Sequence, residues 1–248
     1  MKIRVINPTI SGELKDSNLT PYHAFASPGT EVSVVCLEHG PASIESDYDV
    51  AVAVPDILRH VIRAEHEGMD AVVIDCMCDP GLFAARELVS IPVIGPAQAS
   101  MTLAATLADR FSIIGILERD RQIFHNIWRL YDLMGRGASV RVVDIPVLAL
   151  HEDEEELIEA MATQGALAIS EDHAHALVLG CTGMGGLADP VQQSLAEKGY
   201  AGIPVIDPTG VALKQAESLV ALGLSHSKQT FPIPPRKKIA GYDSHQVS

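Results

Sequence analysis

The chain reads as an α/β protein made of two similar halves. Short runs rich in Val and Ile alternate with longer segments of helical periodicity, the pattern of parallel strands covered by helices. A stretch of about forty residues recurs about a hundred residues later, which makes the alternation a repeat. Apolar residues make up 47% of the 248, enough to form a large core.

The first strand is predicted at Lys2 to Ile6 and the second at Val32 to Leu37, both β-branched and ending near turn residues. Pro55 to Glu67 follows as a helix, with Pro read as its first residue. Ala71 to Ile74 is a strand, Gly81 to Leu88 a helix, Pro92 to Ile94 a strand and Ala97 to Ala108 a helix. The second series has strands at Ser112 to Gly115, Val140 to Asp144, Ala176 to Leu179 and Pro204 to Ile206. Its helices are Arg121 to Met134, Asp153 to Ser170, Pro190 to Lys198 and Val211 to Leu222. The tail "FPIPPRKKIAGY" is Pro-rich and basic, and is expected to lie irregularly over the surface.

Charge removes whole classes of partner. With 32 acidic against 18 basic residues the formal charge is −14, which repels phosphate backbones and anionic lipid, so neither nucleic acid nor membrane is an expected partner. No stretch approaches the ~20 apolar residues that span a bilayer, and "MKIRVINPTI" lacks a small-residue cleavage site. The expected compartment is the cytoplasm. Four cysteines then read as free thiols.

The repeat gives two of those thiols a meaning. "DAVVIDCMCDPGLFAARELVSIPVIGPAQASMTLAATLA" from Asp70 aligns with "HALVLGCTGMGGLADPVQQSLAEKGYAGIPVIDPTGVALKQAESLVA" from His175. In each, an apolar strand ends in Cys, a Gly-containing turn opens a helix, and a Pro-Val-Ile strand leads to another amphipathic helix. "IRVINP" pairs loosely with "FSIIGI", and "EVSVVCLEHGPAS" with "SVRVVDIPVLALH". Two halves follow, residues 1–95 with 208–248 and residues 96–207, and Cys76 and Cys181 become equivalent positions.

Both cysteines stand at carboxyl ends of strands, where open α/β sheets bind ligands. Asp79-Pro80 is predicted to cap the next helix, so its amides should favour a Cys76 thiolate, with Asp75 and Asp79 opposing. Glycines after Cys181 leave N–H groups free for carbonyl oxygens or a developing enolate. A cleft between the halves would present one thiol to each face of a flat substrate. That arrangement suits inversion of a carbon acid, one thiolate removing a proton and the opposite thiol returning one. No nucleotide-binding glycine motif, and no flavin, pyridoxal or metal motif, is evident, so no cofactor is expected.

Other features have plainer readings. Cys36 lies inside "VSVVCLE", where packing explains it. Cys78 lacks the ligand clusters that a structural zinc would need, His173 and His175 read as a solvated loop, and no metal is expected. "HEDEEELIEA" is a helix start whose carboxylates meet the dipole. "GPASIES", Gly40 to Ser46, is either a simple loop or part of the cleft lining.

These residues together resemble the aspartate/glutamate/hydantoin racemase superfamily along nearly the whole chain. The carriers are "IRVINP", "GPASIES", "CMCDPGL" with "AARE", "PVIG", "ASVRVVDIPVLAL", "LGCTGM", "PVIDP" and "AESLV". The resemblance is nearest to hydantoin and allantoin racemases. It implies two doubly wound Rossmann-like halves with the active site between them, a cofactor-independent two-base mechanism, a homo-oligomer, and catalytic roles for Cys76 and Cys181. The contacts it suggests for a small cyclic amide are Asn7, Ser43, Ile44, Cys78, Asp79, Pro80, Gly81, Leu117, Thr182 and Gly183. Three departures are visible: Asn7-Pro8-Thr9-Ile10 where many relatives read Asn-Pro-Asn-Thr, Asp75 where a small residue is common, and Met77-Cys78 where amino-acid racemases carry Asn-Thr. The last favours a neutral cyclic amide over a free amino acid. Amino-acid racemisation, isomerisation of an unsaturated diacid, decarboxylation, and a non-catalytic or thiol-redox role for Cys76 and Cys78 stay open as alternatives.

Overall fold

A computed structural model describes residues 1–10, 20–235 and 237. Its strands are β1 (Lys2–Asn7), β2 (Glu31–Cys36), β3 (Ala71–Ile74), β4 (Val93–Ile94), β5 (Phe111–Gly115), β6 (Gly137–Val142), β7 (Ala176–Leu179) and β8 (Val205–Ile206). The helices are α1 (Asp47–His66), α2 (Leu82–Leu88), α3 (Pro96–Leu107), α4 (Asp120–Leu130), α5 (Glu154–Ser170), α6 (Ala188–Glu197) and α7 (Pro208–Ala221). A further helical stretch occupies 20–25.

The strands form two four-stranded sheets of the same order, β2-β1-β3-β4 and β6-β5-β7-β8. Every pairing is parallel, and the registers match in kind: Val5 faces Val73 in one sheet, Ile113 faces Val178 in the other. Strands buried on both faces have no polar side to show, which is why β3 and β7 read as unbroken apolar runs.

Two helices tie the sheets together. α3 leaves the first sheet at β4 and packs Ala97, Met101 and Ala104 against Phe111, Ile113 and Val178 of the second. α7 leaves β8 and packs Ala212, Leu213 and Ala216 against Ile3, Val5 and Val73 of the first. The two also pack against each other. Crossing the chain over twice keeps the apolar stripe of each helix covered.

Two predicted boundaries shift for physical reasons. α1 begins eight residues before Pro55, because Ser46 accepts the Asp49 amide at 3.2 Å and Asp47 and Asp49 meet the dipole. Pro55 therefore lies inside the helix instead of opening it. β6 begins at Gly137, ahead of the expected Val140, and ends at Val142, since Asp144 turns into the left-handed region (φ 61°). Of the tail, Phe231 stacks on Phe83 and lies 5.6 Å from the Arg86 guanidinium; residue 236 and residues 238–248 lie outside the described residues.

Gly137 is needed where it stands because a Cβ there would come within 2.6 Å of the buried Trp128 ring. Gly137→Ala is expected to lower the stability by about 1–3 kcal/mol, read as a lower urea midpoint with an unchanged slope.

Candidate active site

The thiols arrive at the cleft by the same local construction in each half. After β3 the Asp79 amide donates to the Cys76 carbonyl at 3.0 Å and the Cys78 amide donates to Cys76 Sγ at 3.4 Å. After β7 the Met184 amide donates to the Cys181 carbonyl at 3.1 Å and the Gly183 amide to Cys181 Sγ at 3.3 Å. Both turns thus wrap a backbone N–H around their own sulfur. Gly180 precedes Cys181 because a Cβ there would lie 2.7 Å from the Ile114 carbonyl oxygen; the equivalent position before Cys76 has room for Asp75.

The two turns interlock. Thr182 donates its hydroxyl to the Asp75 carbonyl at 3.2 Å, and Met77 inserts into the core beneath the second sheet. Asp75 also accepts the buried Tyr22 hydroxyl at 2.9 Å. On the rim, the Glu45 carboxylate accepts the Val147 amide at 3.1 Å and the Glu45 carbonyl accepts from Arg119, so the "GPASIES" loop is fastened to the second half.

Cys76 and Cys181 line one cleft of about 50 Å³, with Asn7, Pro8, Thr9, Ile44, Asp75, Val147, His151, Thr182 and Gly183. Of the predicted contacts, Asn7, Ile44, Thr182 and Gly183 are therefore at the cleft. Ser43, Cys78, Pro80, Gly81 and Leu117 do not line it, and neither does Asp79, whose carboxylate turns away to the start of α3. Pro8 and Thr9 belong to the "INP" segment and could have been found as its continuation. Val147 and His151 lie in the segment that the repeat pairs with "EVSVVCLEHGPAS", a signal that could have named them, although their loop reaches the cleft only through the fold. A much larger cavity, about 690 Å³, lies between α3 and α7 and is lined by Leu103, Leu107 and Val205. It contains no thiol, so size and chemistry point to different places, and the chemistry decides.

Two polar features of the cleft matter. Asn7 is buried and lines the cleft; its Oδ1 accepts from Thr9 at 2.9 Å, and its Nδ2 has no hydrogen-bond partner among the described residues. The thiols are pushed toward the protonated form. Cys76 rises well above the ordinary thiol range through its bond to the Cys78 thiol, burial and Asp75, against which the Cys78 amide is too weak. Burial pushes Cys181 up to about 12 despite the Gly183 amide. The expected helix-driven thiolate is thus reversed. α2 starts at Leu82 behind Gly81 with no side-chain cap, and the amide given to the Cys76 sulfur is that of Cys78, before the helix. Among the described residues no group of three or more His, Cys, Asp or Glu side chains could hold a metal ion, and no helix is long and apolar enough to cross a membrane.

Over residues 3–216 the chain matches the family model described as Asp/Glu/Hydantoin racemase. The chain belongs to that family. It is 39% identical to a hydantoin racemase of Paenarthrobacter aurescens over 96% of this chain and 99% of that protein. A hydantoin racemase of Pseudomonas sp. (strain NS671) is 37% identical over 97% of this chain and 95% of its own length. Among solved structures, an allantoin racemase from Klebsiella pneumoniae superposes with a TM-score of 0.92 at 38% identity, covering 100% of this chain and 99% of that one. These relatives make the chain an isomerase, a racemase.

With both thiols held protonated, alkylation should be slow and steeply pH-dependent. Iodoacetamide labelling of Cys76 and Cys181, mapped by peptide mass, is expected to rise about tenfold per pH unit from pH 7 to 9 without a plateau. A plateau below pH 9 at either sulfur would mean that its thiolate is stabilised instead.

Proposed function

We propose that this cytoplasmic racemase inverts C5 of 5-substituted hydantoins or of allantoin, by proton transfer between Cys76 and Cys181 and without a cofactor. The observation that carries the reading is the pair of thiols in one cleft with an unpartnered Asn7 amide. Relatives named for hydantoin and allantoin racemisation support the substrate class.

The ring enters edge-on between the two turns, with C5 between the sulfurs. One thiolate removes the C5 proton, the charge passes to the adjacent carbonyl oxygen, and the Asn7 Nδ2 donates to that oxygen as it becomes an enolate. The opposite thiol then delivers its proton to the other face, and the roles exchange for the other enantiomer. Burial makes each sulfur a stronger base once ionised, and it makes the ionised form scarce. A flat, neutral ring suits a site of this shape. The cleft is well below the ~300–1,000 Å³ of ordinary ligand pockets, so access requires the Glu45 and Val147 rim to part.

Cys76→Ala and Cys181→Ala should each lower racemisation by about 100-fold to 10,000-fold, since neither half-reaction finishes without its partner. Cys36→Ala, at the end of β2, should retain it. Loss of optical rotation with L- and D-5-benzylhydantoin and with allantoin measures this; a wild-type protein inert toward all of them would overturn the reading.

The pH dependence follows from the raised thiols. The active form needs one thiolate, which accumulates only as pH climbs toward the shifted values, so kcat/KM should rise about tenfold per unit through neutrality. The falling limb, where the second thiol ionises, lies beyond it at strongly alkaline pH. An optimum near pH 7 would contradict it.

A further inference from the structure

We infer that Asp79 and Asp207 are positioning residues for the two thiols: each closes one carboxylate clasp between a cysteine turn and the first turn of a crossing helix. The two clasps are built in opposite senses.

In the first half the carboxylate belongs to the cysteine turn. Asp79 accepts the Ala97 and Gln98 amides of α3 at 2.9 and 2.8 Å, and the Tyr131 hydroxyl beyond α4 at 2.6 Å. In the second half the carboxylate belongs to the helix. Asp207 caps α7 through the Thr209 and Gly210 amides at 2.8 and 3.2 Å, and accepts the Gly186 amide of the cysteine turn at 2.6 Å. Either way, one carboxylate joins a turn to a helix start.

The aligned repeat makes the exchange explicit. Asp207 corresponds to Gly95: each follows a Pro-Val-Ile strand and precedes a Pro that opens a helix. Their backbones agree, φ −104° and ψ 124° at Gly95, φ −82° and ψ 115° at Asp207, so nothing in the chain path forbids aspartate at 95. Space does. A Cβ on Gly95 would lie 2.4 Å from the Asp79 carboxyl carbon. The glycine is there because a carboxylate already fills that place from the neighbouring turn. The turns follow the same path too: Gly81 and Gly186 both lie five positions beyond their cysteine, both with positive φ (70° and 88°), and of the two only Gly186 takes part in the present clasps.

The clasps matter because α3 and α7 pack on each other. A turn fixed to α3 and a turn fixed to α7 are thereby fixed to one another, and the distance between the sulfurs is set through that helix pair. Asp79 adopts a left-handed backbone (φ 46°), uncommon for a residue with a side chain, which the clasp holds in place.

The test follows each thiol separately in the intact chain, by iodoacetamide labelling at fixed pH with peptide mapping, which does not require a substrate. Asp79→Ala should raise labelling at Cys76 several-fold and leave Cys181 unchanged; Asp207→Ala should do the reverse. Gly95→Asp alone should destabilise the protein, because two carboxylates would compete for one site. Asp79→Ala with Gly95→Asp should restore both the thermal midpoint and slow labelling at Cys76, since it copies the second clasp into the first half. A second readout rests on the proposed racemisation: each single variant should slow solvent-deuterium exchange at C5 of one enantiomer of 5-benzylhydantoin, and the two variants should affect opposite enantiomers. Equal loosening of both sulfurs by either variant, or no rescue by aspartate at 95, would overturn the clasps. Wild-type protein inert toward hydantoins would overturn the function while the labelling still decided the clasps.

Discussion

The packing of α3 against α7 is the contact on which the geometry of this protein depends. Each helix leaves one sheet and covers the other, burying small residues, Ala97 and Ala104 on one side and Ala212 and Ala216 on the other. Among the described residues the halves share no strand pairing, so their registration falls to this helix pair, to the interlocked turns, Thr182 on the Asp75 carbonyl and Met77 in the opposite core, and to the Glu45 contacts on the rim. Burying one methionine side chain contributes roughly 1.5–3 kcal/mol, enough to hold a turn of a few residues against the entropy of loosening it.

The cleft is arranged for base strength more than for base supply. Each sulfur receives one amide from its own turn, which favours the thiolate, and each loses more through burial and neighbouring groups. For abstraction from a weakly acidic carbon this is a coherent compromise: a thiolate with a raised pKa is rare and strongly basic, while its partner remains a full proton donor at neutral pH. Asp75 contributes to the shift at both sulfurs, so under the proposed mechanism it would act on both proton transfers.

Much of this was legible in sequence because it repeats. An apolar strand buried on both faces admits few side chains, and its end is marked by the first residue that is not Val, Ile, Leu or Ala. The equivalence of Cys76 and Cys181 could therefore be read by alignment of the chain with itself, and β3 and β7 fall on the predicted residues. Asn7, Ile44, Thr182 and Gly183 were suggested by the family resemblance, and all four line the cleft. Pro55 misled, because a proline read locally marks a helix start, whereas Ser46 and two acidic residues made a stronger one upstream.

By itself, the sequence determined the alternation of strands and helices, the two-fold repeat, the thiols that end equivalent strands and the family. All of these are written in neighbouring residues, through side-chain period and turn chemistry. Tertiary structure alone decided where Asp79 points. Locally Asp-Pro-Gly is a good cap for the helix it precedes, and only the approach of α3, whose first-turn amides lie unsatisfied beside a glycine at 95, offers that carboxylate better partners across the turn. Tertiary structure likewise decided the thiol pKa shifts and brought Val147 and His151 to the cleft. Burial and the meeting of distant loops depend on the packing of the whole chain, and no window of neighbouring residues encodes them.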